Sequence, residues 1–179
     1  MSKLTITEGL AEIKTIDKRV QKKREFITAH LVRQEQLKDP LASSGGSAQA
    51  IKRERQAIAD LQERKIAIRR AIQEANATTV LEVCAEERTI ASWLVWRREV
   101  APSLQAFYSQ IRNSVNHIRG EAQKRGHMMV AAEAIAKPGD IVVNLDEKEL
   151  ADSIEHLEEV LGTLDGALSL KNATTFIDI

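Results

Sequence analysis

An unbroken four–three alternation of apolar residues most constrains how this chain can fold. It runs Leu150, Ile154, Leu157, Leu161, Leu164, Leu168. Such spacing places one apolar residue per turn on a single narrow seam, the pattern of a helix that packs lengthwise against another helix. Asp146 and Glu149 precede the seam at capping-box spacing, and Leu145 can staple to Leu150, so a helix is expected to start there.

The same periodicity recurs earlier. Ile6, Leu10, Ile13, Val20, Ile27 and Leu31 mark a first helix that opens near Thr5, with Thr5 and Glu8 as a capping box, and ends around Lys38. Ser43-Ser44-Gly45-Gly46-Ser47 reads as a loop whose Ser47 caps the next helix. That second helix covers about 48–75 with Ile51, Ile58, Leu61, Ile68, Ile72 and Ala75 on its buried stripe. Trp93, Leu94, Leu104, Phe107, Ile111, Val115 and Ile118 give a third helix over about 86–125. Pro102 lies inside it and should kink or break it, since proline lacks an N–H and clashes with the preceding turn.

Between the third and fourth helices the character changes. Met128 through Ile135, then Pro138-Gly139-Asp140, then Ile141 through Leu145 read as a β-hairpin closed by a type II turn. Val80–Val83 and Phe176–Ile179 are short strand-like runs. The expected fold is therefore mainly α. Two long antiparallel helical hairpins form a four-helix, coiled-coil-like bundle with a small β-hairpin at about 128–145 and short strands at 80–83 and 176–179. The expected division is 1–83 and 84–179, as one structural unit.

A second constraint is internal similarity. Residues 71–83 (AIQEANATTVLEV) align without a gap on 167–179 (ALSLKNATTFIDI) at an offset of 96. Asn-Ala-Thr-Thr is identical in both, and an apolar, apolar, acidic, apolar run follows each. The reading is duplication of a helix–connection–helix–strand unit, with helix one matching helix three and helix two matching helix four. Asn76 and Asn172 are expected just past their helices, in the left-handed conformation that closes a helix. The two short runs are expected to pair with each other, with the 128–145 strands, or with a neighbouring subunit.

These residues also carry a family resemblance. Ile72-Gln73 through Asn76-Ala77-Thr78-Thr79, the following Arg88-Thr89-Ile90, and Leu164-Asp165 through Asn172-Ala173-Thr174-Thr175 resemble the hairpin-closing motifs of a family of bacterial helical proteins of unknown function. That family has Trp where this chain has Ala173. The resemblance implies the helical fold and no particular chemistry.

Charge narrows the function classes. The chain is neutral overall, but residues 1–75 carry +6, 76–126 carry +2 and 127–179 carry −8. A basic front and an acidic back can bind each other within a chain or between copies. The single cysteine, Cys84, excludes an intrachain disulfide and sits beside Glu86 and Glu87, an acidic setting that argues against a nucleophile. His30, His117, His127 and His156 are dispersed, and none follows a Glu at the spacing of a di-iron helical site. Phosphate-loop, zinc-protease and dinucleotide motifs are missing. No catalytic, cofactor-binding or metal-binding residue is expected, and the protein is read as a non-enzyme.

What remains is a structural or assembly protein that forms homo-oligomers and joins other proteins of an assembly, a phage virion component being the specific form. Its interface is expected at Phe176, Ile177, Ile179, Leu157, Leu161 and Leu164, because a strand-like run can add to another copy and a leucine seam can meet another seam. The alternative is a nucleic-acid-binding or regulatory coiled-coil protein using Lys18, Arg19, Lys22, Lys23 and Arg24, which the acidic tail opposes. No membrane partner is expected. The first residues lack the apolar stretch of a signal peptide, so the protein is expected in the cytoplasm when made.

Overall fold

The computed structural model describes residues 3–179. In chain order the elements are β1 (Lys3–Thr5), α1 (Ile6–Ala29), a 3-10 turn (Ala42–Ser44), α2 (Ser47–Thr78), β2 (Val80–Val83), β3 (Glu86–Thr89), α3 (Ile90–Val95), a π-helical turn (Trp96–Val100), α4 (Ala101–Lys124), β4 (Met129–Ala131), β5 (Ile141–Val143), α5 (Glu147–Thr174) and β6 (Phe176–Asp178). The fold is mainly α. The chain forms two compact units, one comprising the chain up to Thr79 together with Ser169–Ile179, the other Val80–Leu168. This departs from the expected division at 83/84. The final segment joins the first unit because β6 pairs there with β1.

In the first unit α1 and α2 form an antiparallel hairpin around Ile13, Ile16, Val20, Ile68 and Ile72, all buried. Ion pairs run across it from Glu12 to Arg64 (3.0 Å), Asp17 to Lys65 (2.6 Å) and Lys23 to Glu54 (2.7 Å). The capping box forms as expected: the Glu8 N–H donates to Thr5 Oγ1 at 3.2 Å, and the Thr5 N–H donates to Glu8 Oε2 at 2.8 Å. The Thr5 N–H, and then the Thr5 hydroxyl, donating to the Glu8 carboxylate hold it below the usual glutamate value.

Two expectations for this hairpin change. Helix α1 stops at Ala29, well short of Lys38, where the His30 ring nitrogen Nδ1 hydrogen-bonds with the Phe26 carbonyl at 2.8 Å. The cap of α2 is not Ser47 but Asp39, eight residues upstream in the connecting loop. Ser47 is the first helical residue, and Asp39 accepts its N–H at 2.8 Å and its hydroxyl at 2.6 Å, and also the Leu41 N–H at 2.8 Å. Three donors on one carboxylate lower the Asp39 pKa to about 2.

The second unit is built around Trp93, which is fully buried and donates its Nε1–H to the Leu81 carbonyl at 2.9 Å. Trp96 stands edge-on to it at 5.4 Å between ring centroids, and the Arg88 guanidinium lies 4.9 Å from its ring centre. The proline break predicted at Pro102 takes the form of the π-helical turn at Trp96–Val100, in which the Ala101 N–H reaches back to the Trp96 carbonyl. The wider turn makes room for a ring that would otherwise press on the carbonyl four residues earlier. Arg97, in the π-helical turn, bonds Asp165 of α5 (2.8 Å), and Arg119 of α4 bonds Glu147 at the start of α5 (2.6 Å), so α4 and α5 run antiparallel. At the start of α5, Asp146 Oδ1 accepts from the N–H groups of Lys148 (2.8 Å) and Glu149 (3.2 Å).

The segment at 128–145 is not a β-hairpin: β4 and β5 pair in parallel, Met129 opposite Ile141 and Ala131 opposite Val143. The expected turn is present, with the Asp140 N–H bonded to the Lys137 carbonyl at 3.0 Å and Gly139 at φ +100°. A second reversal, closed by the Ala134 N–H on the Ala131 carbonyl (3.0 Å), precedes it. Two reversals restore the original direction, so the strands align parallel.

The remaining strands pair two by two among the described residues. β2 and β6 do not pair with each other, contrary to one expectation. β2 lies antiparallel to β3, and β6 lies antiparallel to β1. The registers correspond residue for residue. Val80 faces Thr89 as Phe176 faces Thr5, Leu81 faces Arg88 as Ile177 faces Leu4, and Glu82 faces Glu87 as Asp178 faces Lys3. Thr5 and Thr89 each cap the helix that follows, and Ile6 and Ile90, next in line, are each 1% exposed.

The helix ends preceding β2 and β6 also correspond. α2 ends at Thr78 and α5 at Thr174, 96 residues apart. In each, the terminal threonine hydroxyl donates to the carbonyl four residues back at 3.0 Å, and the next N–H closes the helix at 2.8 or 2.9 Å. Asn76 and Asn172 therefore lie inside the last turn, not past it. The threonine hydroxyls back-bond to carbonyls of the last turn that also accept the helix's own N–H groups, and the helix closes without a left-handed Asn.

Candidate functional site

A cleft of about 600 Å³ opens where the parallel strands β4 and β5 end and α5 begins; Arg119, Ala131, Glu133, Asn144, Asp146 and Glu147 are among its lining residues. Strand ends beside a helix N-terminus commonly receive anions. Here the groups that would attract one are already engaged. Asp146 occupies the first free N–H groups of α5, and both carboxylate oxygens of Glu147 hold Arg119.

A second cluster surrounds the tight turn between β2 and β3. Cys84 and Ala85 occupy the left-handed region, at φ 49° and 64°. The Cys84 sulfur lies 3.5 Å from the Thr163 hydroxyl. Glu86 bonds Arg88 at 2.6 Å and His156 at 3.3 Å, and these side-chain hydrogen bonds, that of Arg88 first, hold its carboxyl below the usual range. A carboxylate so stabilised is a poor proton donor near neutral pH, and Cys84 touches no base. Among the described residues no group of three or more His, Cys, Asp or Glu side chains is placed to hold a metal ion, and no helix is long and apolar enough to cross a membrane.

The residues expected at an oligomer interface separate into two sets. Leu157, Leu164 and Ile177 are buried at 5%, 0% and 3% exposure within their own units, so they are not free to meet another chain. They belong to the core: Ile177 packs against Gly9, Ile68 and Ile72. Phe176 is exposed, and Leu161 and Ile179 are half-buried. Of the basic residues expected to touch nucleic acid, Lys18, Arg19, Lys22 and Arg24 are exposed, while Lys23 is tied to Glu54. The net +6 of residues 1–75 falls entirely within 18–56, the half of the α1–α2 hairpin nearer its loop.

One surface was misassigned by sequence reasoning. Phe107 and Ile118, read as core positions of the third helix, are 54% and 44% exposed, and Val100 is 40% exposed. The flanking residues carried a signal: Arg112 and Arg119 follow Ile111 and Ile118 by one residue, and it is the arginine side of α4 that turns toward α5. In comparisons with known proteins, no family model, no curated protein and no solved structure matches this chain.

Proposed function

We propose that this chain is a non-enzymatic structural or assembly protein that works as a homo-oligomer. The observation that supports the reading is the apolar side chains left in solvent on one side of α4, Phe107 and Ile118, with Val100 in the turn just before it. A helix that keeps such residues uncovered has a use for them at an interface. In its specific form the reading is a component of a phage particle, testable by mass spectrometry of purified particles. Sedimentation equilibrium tests the general form: masses that are multiples of the 20.0 kDa chain support it, and a monomer at every concentration ends it.

A second reading, nucleic-acid binding, draws on one specific observation. Lys18, Arg19, Lys22 and Arg24 are solvent-exposed in the half of the hairpin that holds the whole basic excess. Cations so placed can neutralise phosphates and release counterions. A gel-shift assay at low salt with duplex and single-stranded DNA decides it. Retardation that fades steeply with added salt supports this reading, and none at low salt removes it.

A further inference from the structure

We propose that the exposed apolar face of α4 is where two copies of this chain meet, helix against helix, in a two-stranded coiled coil. The proposal rests on the homo-oligomer reading and names its surface and partner. Val100, Leu104, Phe107, Ile111, Ser114 and Ile118 succeed one another at steps of four and three, a heptad seam. The seam runs for about 27 Å along the helix axis. Phe107 is 54% exposed, Ile118 44% and Val100 40%, and Leu104 and Ile111 are half-buried.

The exposed seam residues Phe107 and Ile118 are not spent on α5. Arg119 reaches Glu147, and Tyr108, Arg112, Val115 and Asn116 line the recesses between α4 and α5. Arg112 and Arg119 each stand one residue beyond a seam position, a rotation of about 100° round the helix. Beside the seam is a shallow recess lined by Phe107, Ile111, Val115, Ile118, Asn144 and Leu145, a shape that can receive a knob from a facing helix.

The flanks identify the occupant as a second copy. In a two-fold interface the same patch meets itself, so a charge beside the seam would be brought close to its own sign. The flanking positions are Ser103, Gln110 and His117 on one side and Tyr108 and Val115 on the other. None carries a permanent charge, in a chain that is 29% charged. A nucleic acid would call for cations along this face, and an acidic or basic partner protein for a flank of opposite sign. A neutral, apolar, self-compatible seam fits its own copy.

The experiment is sedimentation equilibrium on the full chain and on two double variants, with thermal unfolding as the control for folding. Phe107→Glu with Ile118→Glu places charge on the exposed seam. Gln110→Glu with His117→Glu leaves every apolar residue in place and sets like charges beside it. Both pairs lie at exposed positions. The expected result is a dimer for the natural chain and a dissociation constant raised roughly tenfold or more in each double variant. A folded seam variant together with a flank variant that both keep the natural mass would overturn the α4 interface while leaving the homo-oligomer reading standing. If the seam variant fails to fold, the flank variant alone decides, and an unchanged mass overturns the proposal. A natural chain that is monomeric throughout overturns both.

Discussion

Asn76 and Asn172, 96 residues apart in sequence, each bury a side-chain oxygen that has no hydrogen-bond partner. Each lies two residues before the end of its helix, and each is followed by the same threonine back-bonds. A buried acceptor without a donor costs more than an apolar group of similar shape. Replacing Asn76 or Asn172 by Leu should leave stability unchanged or raise it by up to about 1 kcal/mol. Thermal unfolding measures this. A clear loss at either site would mean that its oxygen is served by a bound water or partner.

Glycine substitutions should act with opposite sign at two kinds of place. A Cβ at Gly162 or Gly166 in α5 would meet nothing within 4 Å, so alanine there should add about 0.8–1 kcal/mol each through helix propensity. A Cβ on Gly9 would sit 3.0 Å from the Ile177 side chain and 3.3 Å from those of Ile68 and Ile72. Gly9→Ala should therefore cost about 1–3 kcal/mol as overpacking. Chemical denaturation of the three single variants would show whether the signs divide as stated.

The turn between β2 and β3 places two side-chain-bearing residues, Cys84 and Ala85, at positive φ. This is the two-residue turn for which Asn-Gly is the favoured sequence. Cys84→Asn combined with Ala85→Gly should stabilise the protein by about 1–2 kcal/mol, since the left-handed conformation costs an ordinary residue about that much. An unchanged midpoint in urea would show that no strain is stored at this turn.

Asp39 gives an acid-sensitive cap. Its pKa falls from 3.8 to about 2 on folding, because Ser47 and Leu41 donate to the ionised form. A depressed pKa stabilises the fold fully above the unfolded value and progressively less as pH drops through the folded one. The contribution should therefore fade between 3.8 and about 2. Asp39→Asn, which cannot ionise, should lose less helical signal than the natural chain over that window. Parallel acid titrations followed by circular dichroism compare the two.

Removal of Phe176–Ile179 should weaken the fold and not the assembly. β6 already has its partner in β1, and Ile177 is 3% exposed against Gly9, Ile68 and Ile72. Losing that side chain alone should cost about 1.5–3 kcal/mol. The truncated chain should melt earlier yet keep the sedimentation mass of the natural one. Dissociation without loss of stability would return the interface to this strand.

Periodicity in the sequence determined the helices, because one apolar residue per turn must be buried along one side whatever the partner. It located the seam of α5, the Thr5 capping box and the alignment of 71–83 with 167–179, all of which are local or repeated patterns. It misjudged where α1 ends and what caps α2, since His30 and Asp39 act through side-chain bonds that spacing alone does not reveal. Val80–Val83 pairs locally with β3 across the turn at Cys84–Ala85, but the partner of Phe176–Asp178, a strand too short to choose a neighbour by pattern, was decided only by the tertiary structure, which brings β1 to it from the other end of the chain. The same holds for the apolar face of α4. Sequence marks Phe107 and Ile118 as residues that favour burial, but which side of α4 faces α5 is a tertiary outcome, and with Arg119 turned to Glu147 it leaves them in solvent.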